Sequence, residues 1–288
     1  MKLDHVEKIA NAVLYEGYLL YPYRPSSVKN RQRFNFGVLY PKDYDVSRMR
    51  TECIVLGNAA TTVDVKVRCL QLAERDNWQE GHEREVTVAG YSLSRSSAHL
   101  VPFLFEACEG EPHFERVRGE LELESTQLAD GVFKLAVEIR NCVSNQAEWT
   151  RDQALARSMV SVHTIFQVSG GGFVSLLDPP EAMRQTAANC GNVGTWPVLV
   201  GEEGQHDTLL SAPIILYDYP QIAPESPGDL FDGTEIDEIL ALRILTLTEA
   251  EKSEMRNSDD RARRILERTE MLPPEHFQKL HGALRGLK

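Results

Sequence analysis

The strongest signal along the chain is an alternation of apolar and polar residues with a period of two. From Thr62 to Leu70, Val63, Val65, Val67 and Cys69 fall on one face, and Thr62, Asp64, Lys66 and Arg68 fall on the other. That is the pattern of a strand with one face in a core. Phe133, Leu135, Val137 and Ile139 alternate with Lys134, Glu138 and Arg140, and Leu121 and Leu123 alternate with Glu120, Glu122 and Glu124. Asp130-Gly131 lies between these two runs, which predicts an antiparallel hairpin with an irregular loop. Phe34 to Tyr40, Glu52 to Leu56, Glu85 to Val88, Met159 to Val168 and Pro213 to Tyr217 read as further strands. Strands that follow one another without intervening helices predict an antiparallel sandwich or barrel, not a doubly wound sheet.

Helical spacing marks the two ends. Leu3, Val6, Ile9, Ala10 and Val13 predict an amphipathic helix that ends near Gly17. Beyond Asp232, an apolar stripe of Ile236, Ile239, Leu240, Ile244 and Leu247 predicts a second helix, capped at Gly233-Thr234-Glu235. Thr248 with Glu251 forms a capping box that opens a third helix. Asn257 to Asp260 breaks it and starts another, which runs to about Thr269, and Pro273-Pro274 precedes a last short one. The expected fold is therefore mainly β within an α+β plan: a β-rich domain over 1–230 that starts with a helix, and a helical tail over 231–288. Between Gly170 and Gly228 the chain is rich in turns and extended segments, including Asp178-Pro179-Pro180 and Asn189-Cys190-Gly191-Asn192. Long ordered loops on a sheet scaffold commonly carry function.

Bulk properties narrow the classes of partner. A chain of 288 residues, 42% hydrophobic and 26% charged, can bury a substantial core. A formal net charge of −12 repels phosphate backbones and anionic lipid, so nucleic acid is not an expected partner. Met1-Lys2-Leu3-Asp4-His5 lacks the basic start and apolar core of an export leader, and no apolar run approaches membrane-spanning length. The expectation is a cytoplasmic protein without membrane insertion. Cys53, Cys69, Cys108, Cys142 and Cys190 are scattered and odd in number, and read as reduced thiols in the core, with Cys190 on a loop.

The sequence presents no reactive constellation that points to a catalytic residue, metal ligand or cofactor site. Asp229, Asp232, Glu235, Asp237 and Glu238 do not match a calcium loop, and an acidic first helical turn is explained by the helix dipole. None of the eight histidines has a partner at metal-binding spacing. His163 lies opposite the apolar face formed by Val160, Val162, Phe166 and Val168, and is expected to face solvent or a loop. Gly170-Gly171-Gly172 lacks the downstream Lys-Ser/Thr of a phosphate loop, and there is no Gly-x-Ser-x-Gly elbow. Two aromatic and charged segments remain as candidate binding surfaces: Tyr21, Tyr23, Arg24, Lys29, Arg31 and Arg33, and Trp196, Tyr217, Asp218, Tyr219 and Glu225. Tyr, Trp and Arg are enriched at the energetic centres of interfaces.

Three stretches carry a resemblance. Leu14 to Phe34 (LYEGYLLYPYRPSSVKNRQRF), Ser211 to Leu240 (SAPIILYDYPQIAPESPGDLFDGTEIDEIL) and Leu245 to Lys252 (LTLTEAEK) resemble uncharacterised bacterial proteins encoded in gene clusters for nickel-iron uptake hydrogenases. The resemblance implies a non-enzymatic accessory factor that acts by protein–protein binding, as a chaperone or scaffold in assembly, maturation or association of the hydrogenase. Its implied partner is a hydrogenase subunit or another maturation protein, and homo-oligomerisation stays open. The alternative reading is an enzyme whose site is dispersed in sequence, built from His163, Asp178, Asp218 and Glu225.

Overall fold

A computed structural model describes residues 3–18, 23–24, 33–75, 78–110, 112–144, 148–221, 237–258 and 260–273. Its first unit, comprising Met1–Leu14, Phe36–Arg75 and Gly81–Pro220, is built on two antiparallel sheets. One sheet has the order β4-β6-β7-β1-β9, from β1 (Arg48–Leu56), β4 (His99–Phe105), β6 (Val117–Ala129), β7 (Val132–Asn141) and β9 (Gly172–Val174). The other has the order β10-β11-β8-β2-β3, from β2 (Thr62–Arg75), β3 (Trp78–Ser92), β8 (Val160–Ser169), β10 (Trp196–Leu199) and β11 (Thr208–Ala212), with the short β5 (His113–Phe114) beside β2. The fold is mainly β and sandwich-like, and neither sheet closes into a barrel.

The alternation seen in the sequence explains the layering. Cys53 and Val55 of β1, Leu121 and Leu123 of β6, and Leu135, Val137 and Ile139 of β7 share one core with Val63, Val65 and Val67 of β2 and Val162, Phe166 and Val168 of β8. Burying such a side chain stabilises the fold by about 1.5–3 kcal/mol. The β6–β7 hairpin forms as expected, but its loop is the tight two-residue Asp130-Gly131 turn, with Gly131 at φ 69° and a register shift between Gln127 and Ala129. Two expected strands are absent. Phe34 to Tyr40 contributes only an isolated bridge between Leu39 and Met159. Pro213 to Tyr217 is irregular because Pro213 cannot donate to a ladder, and the strand ends before it at Ala212. β4 has no clear signature in the sequence because Pro102 interrupts it, yet a proline is tolerated on the outermost strand of a sheet.

Helix α1 (Leu3–Tyr15) lies on the outer face of the second sheet. Its Val6, Ile9, Ala10 and Val13 pack on Ile165, Val198, Leu210 and Ala212 of β8, β10 and β11. The other half of that face, on β2 and β3, carries charged residues. β3 keeps Val86, Val88 and Tyr91 against the core, followed by Leu93 just past its end, so the inward spacing lengthens from two residues to three after Val88. Gly90, at φ 62°, absorbs the extra residue and donates its N–H to Asp64 Oδ1 at 2.6 Å.

On the outer face of the first sheet, Ile54, Val132 and Val174 are covered by Ala187 of α3 (Arg184–Ala188), with α2 (Arg151–Leu155) elsewhere in the chain. Beside them runs a ladder of ions. Glu52 takes Arg50 at 2.7 Å and Lys134 at 3.3 Å, and Arg140 takes Glu138 at 2.6 Å and Glu122 at 2.5 Å. Glu52 also accepts the Gly191 N–H at 2.8 Å and is only 5% exposed. Burial alone would raise the Glu52 carboxyl, but the Gly191 N–H, Arg50 and Lys134 outweigh it and hold its pKa below the usual carboxylate range.

The second unit comprises Tyr15–Asn35, Asp76–Glu80 and Gln221–Lys288, so two stretches well before the C-terminal region belong to it. Its helices are α4 (Asp237–Leu245), α5 (Glu249–Ser258) and α6 (Asp260–Glu270). Leu240, Ala241, Ile244, Met255, Ala262, Ile265 and Leu266 are buried. The Thr248–Glu251 capping box forms, with the Thr248 N–H donated to Glu251 and the Glu251 N–H to Thr248. Of the acidic cluster, Asp229, Asp232 and Glu235 lie outside the described residues, as does the helix expected after Pro274, while Asp237 and Glu238 open α4. No helix among the described residues is long and apolar enough to cross a membrane.

Candidate functional site

Because α1 covers only the apolar half of the second sheet, a groove of about 410 Å³ remains beside it. Val6, Glu7 and Asn11 of α1 form one wall, and Ile165 and Gln167 of β8 lie at its foot. Asp64, Lys66 and Arg68 of β2 form the floor, and Glu83, Glu85, Thr87 and Ala89 of β3 continue it toward the sheet edge. The register sets these residues in rows: Asp64 opposes Gln167, Lys66 opposes Ile165 and Arg68 opposes His163. Period-two alternation puts every second residue of β2 and β3 on this face.

Among the described residues, two ion pairs cross the floor. Arg68 meets Glu83 at 2.9 Å, and Lys66 meets Glu85 at 3.7 Å. Glu83 and Glu85 keep half or more of their side-chain exposure, 50% and 60%, so water screens both pairs. Neither Glu7 nor Asp64 has an ion-pair partner among the described residues. The lining thus holds four carboxylates, Glu7, Asp64, Glu83 and Glu85, against the two cations Lys66 and Arg68.

His163, next to Arg68 in the sheet, is fully buried, contrary to the expectation that it faces solvent or a loop. β8 is an interior strand, and α1 occupies that face of the sheet. His163 Nδ1 lies 2.9 Å from the Ser161 carbonyl, which fixes the proton on Nδ1, while Nε2 has no hydrogen-bond partner among the described residues. Burial, with a further contribution from Arg68, pushes its pKa down to about 4, so the imidazole is neutral at pH 7. Ser161 adopts φ 53°, an uncommon conformation for a residue other than glycine.

The residues singled out from the sequence have other places. Tyr21, Lys29, Arg31 and Glu225 lie outside the described residues. Tyr23 is fully buried and Arg33 is 5% exposed, so neither presents a binding surface. Arg33 stacks over Phe34 at 4.4 Å and donates to the Tyr18 carbonyl, and Arg24 pairs with Glu251 at 3.2 Å and Glu254 at 3.7 Å. Asp218 accepts the Leu199 N–H at 2.8 Å and the Ser175 hydroxyl at 2.5 Å, while Tyr219 donates its hydroxyl to the Gln205 carbonyl and its N–H to Leu199. These two residues fasten a loop along β10. Trp196 and Tyr217 are exposed, at 45% and 85%.

The dispersed set does not assemble around His163. Asp178 and Asp218 both meet Ser175, and Asp218 holds Leu199, which lies in the Leu199–Leu209–Phe166 row two strands from β8 and three residues along it from His163. Strand spacing and rise put each of those offsets at about 10 Å. Among the described residues no group of three or more His, Cys, Asp or Glu is arranged to hold a metal ion. No protein-family model and no curated protein matches this chain.

The groove residues were visible in the sequence as the polar half of each strand. That a helix would cover only the neighbouring strands, turning a solvated face into a groove, depends on tertiary packing that local periodicity does not encode.

Proposed function

We propose that the protein is a non-enzymatic accessory factor that works by binding another protein in the cytoplasm, and that its partner is a subunit or maturation protein of a nickel-iron hydrogenase. The observation that carries the binding reading is the groove beside α1, an open channel about 410 Å³ in volume whose charged groups pair with one another across strands. Such a lining suits recognition of a polypeptide by charge and hydrogen bonding. The identity of the partner rests on the resemblance of Leu14 to Phe34, Ser211 to Leu240 and Leu245 to Lys252 to proteins encoded beside uptake hydrogenases. The exposed Trp196 and Tyr217 offer a second contact surface on the same unit.

The test is affinity capture from hydrogenase-expressing native cells, with quantitative mass spectrometry for hydrogenase subunits and maturation proteins. We expect enrichment with the wild-type chain, and loss of at least tenfold of it with Glu7→Lys combined with Glu85→Lys. Recovery of none of these proteins by the wild-type chain, in cells shown to make active hydrogenase, would remove the hydrogenase assignment.

A further inference from the structure

We infer that the groove receives an extended basic segment of the partner, added as a strand along the outer edge of β3 from Arg84 to Ala89, with its Lys or Arg side chains set against Glu7, Asp64 and Glu85. The inference rests on the protein-binding reading above and specifies how binding occurs.

The four sheet edges differ in what they leave open. β9 is three residues long, and β10 is four residues long with Asp218 and Tyr219 bonded to Leu199 at its end. β4 carries Pro102 in its centre, which removes a backbone donor. Among the described residues β3 is the outermost strand of its sheet with β2 as its strand neighbour, and its stretch Arg84 to Ala89 has no proline. That stretch spans about 20 Å, enough for a strand of six or seven residues.

Charge selects among the strands that could add there. Exposed carboxylates on an edge strand deter neutral or acidic strands, and so guard the edge against indiscriminate pairing. A basic strand meets attraction instead. Lys66 and Arg68 already have Glu85 and Glu83 as partners, which leaves Glu7 and Asp64 as surplus negative charge on the groove. An added strand projects alternate side chains over the outer face, where Glu85 and Thr87 lie, and its backbone bonds to β3 supply affinity that does not depend on sequence. The same carboxylates thus supply repulsion of wrong partners and attraction of the right one.

The experiment uses the full chain and a fluorescein-labelled nine-residue peptide alternating Lys and Thr, read by fluorescence anisotropy at low ionic strength. Three comparisons accompany it: the matching Glu–Thr peptide, the Lys–Thr peptide N-methylated at alternate residues, and the Glu7→Lys, Glu85→Lys double variant. We expect saturable binding of the Lys–Thr peptide, weakened at least tenfold in the double variant and at least tenfold by N-methylation, with the Glu–Thr peptide not binding. Absence of Lys–Thr binding overturns the inference. Equal binding of the N-methylated peptide reduces the contact to charge adsorption and overturns strand addition. Displacement of the peptide by an equal concentration of spermine would mean a small polycation site instead, and a self-association constant tighter than peptide binding would mean a second copy of the chain occupies the edge. Should the double variant fail to fold, the N-methylated comparison on wild-type protein still decides. Failure of every peptide comparison while the wild-type chain still captures hydrogenase subunits would sink this binding mode and leave the accessory role standing.

Discussion

The outer faces of the two sheets hold similar residues in different states. On the first sheet, Glu52 and Glu138 are 5% and 6% exposed, and their oxygens are taken up by Arg50, Lys134, Arg140 and a backbone N–H. On the second, Glu83 and Glu85 are half exposed or more, and Glu7 and Asp64 lack ion partners among the described residues. What separates the two is covering structure. The loop at Gly191 closes over Glu52, whereas α1 stops short of β2 and β3. Carboxylates that a loop has enclosed and saturated are part of the scaffold, and those left half in water keep their charge at the surface.

That contrast can be broken in four places, taken in order of expected effect. The largest lies under the covered half of the second sheet, at His163. Its folded pKa of about 4 is below the unfolded value near 6.5, so the unfolded chain binds the extra proton first. The stability it permits is complete above pH 6.5 and declines as pH falls to 4, by about 3 kcal/mol. Urea midpoints measured across that window should fall for the wild-type chain and stay flatter for His163→Leu; parallel curves would show that His163 is not buried neutral.

Next comes Glu52→Ala, which leaves the Gly191 N–H without its acceptor and Arg50 and Lys134 without a shared partner. The expected cost is about 2 to 3 kcal/mol in chemical denaturation. Because the folded pKa is depressed, the contribution of Glu52 is present above the unfolded carboxylate pKa and is lost as pH falls below it, a window beneath that of His163. A loss below 0.5 kcal/mol would place Glu52 with the groove carboxylates and erase the contrast. Gly90→Val forces a β-branched residue into φ 62° and should cost about 1 to 2 kcal/mol in the same assay; a neutral result would mean that the strand reorganises around position 90. The smallest effect belongs to Glu85→Ala, whose exposed pair with Lys66 should leave stability within about 0.5 kcal/mol of wild type. A larger loss would assign Glu85 to the scaffold.

Much of the fold was legible because β-sheets write their period into the chain. β2, β6 and β7 were readable from strict alternation, and α5 from its capping box. Legibility failed where one residue overrode the pattern. Pro102 concealed β4, Pro213 ended a strand that its apolar neighbours would otherwise continue, and the polar side of β8 gave no sign that His163 would be buried. The aromatic and basic loops looked like binding surfaces because Tyr and Arg serve interfaces and interiors equally well. In Tyr23 and Arg33 the interior use won, with Arg33 stacked on Phe34 and bonded to a backbone carbonyl.

The extra residue at Gly90 makes the identity of the groove conditional on chain length. Val86 and Val88 face the core, and Tyr91 and Leu93 do so as well, only because one residue between them is not counted in the pleat. Deleting it while Tyr91 and Leu93 keep their places would turn Glu85 and Thr87 inward and Arg84, Val86 and Val88 outward, exchanging an acidic surface for a basic and apolar one. A single-codon deletion could thus reverse the charge character of this face in one step, a change that no series of point substitutions in β3 would reach so directly.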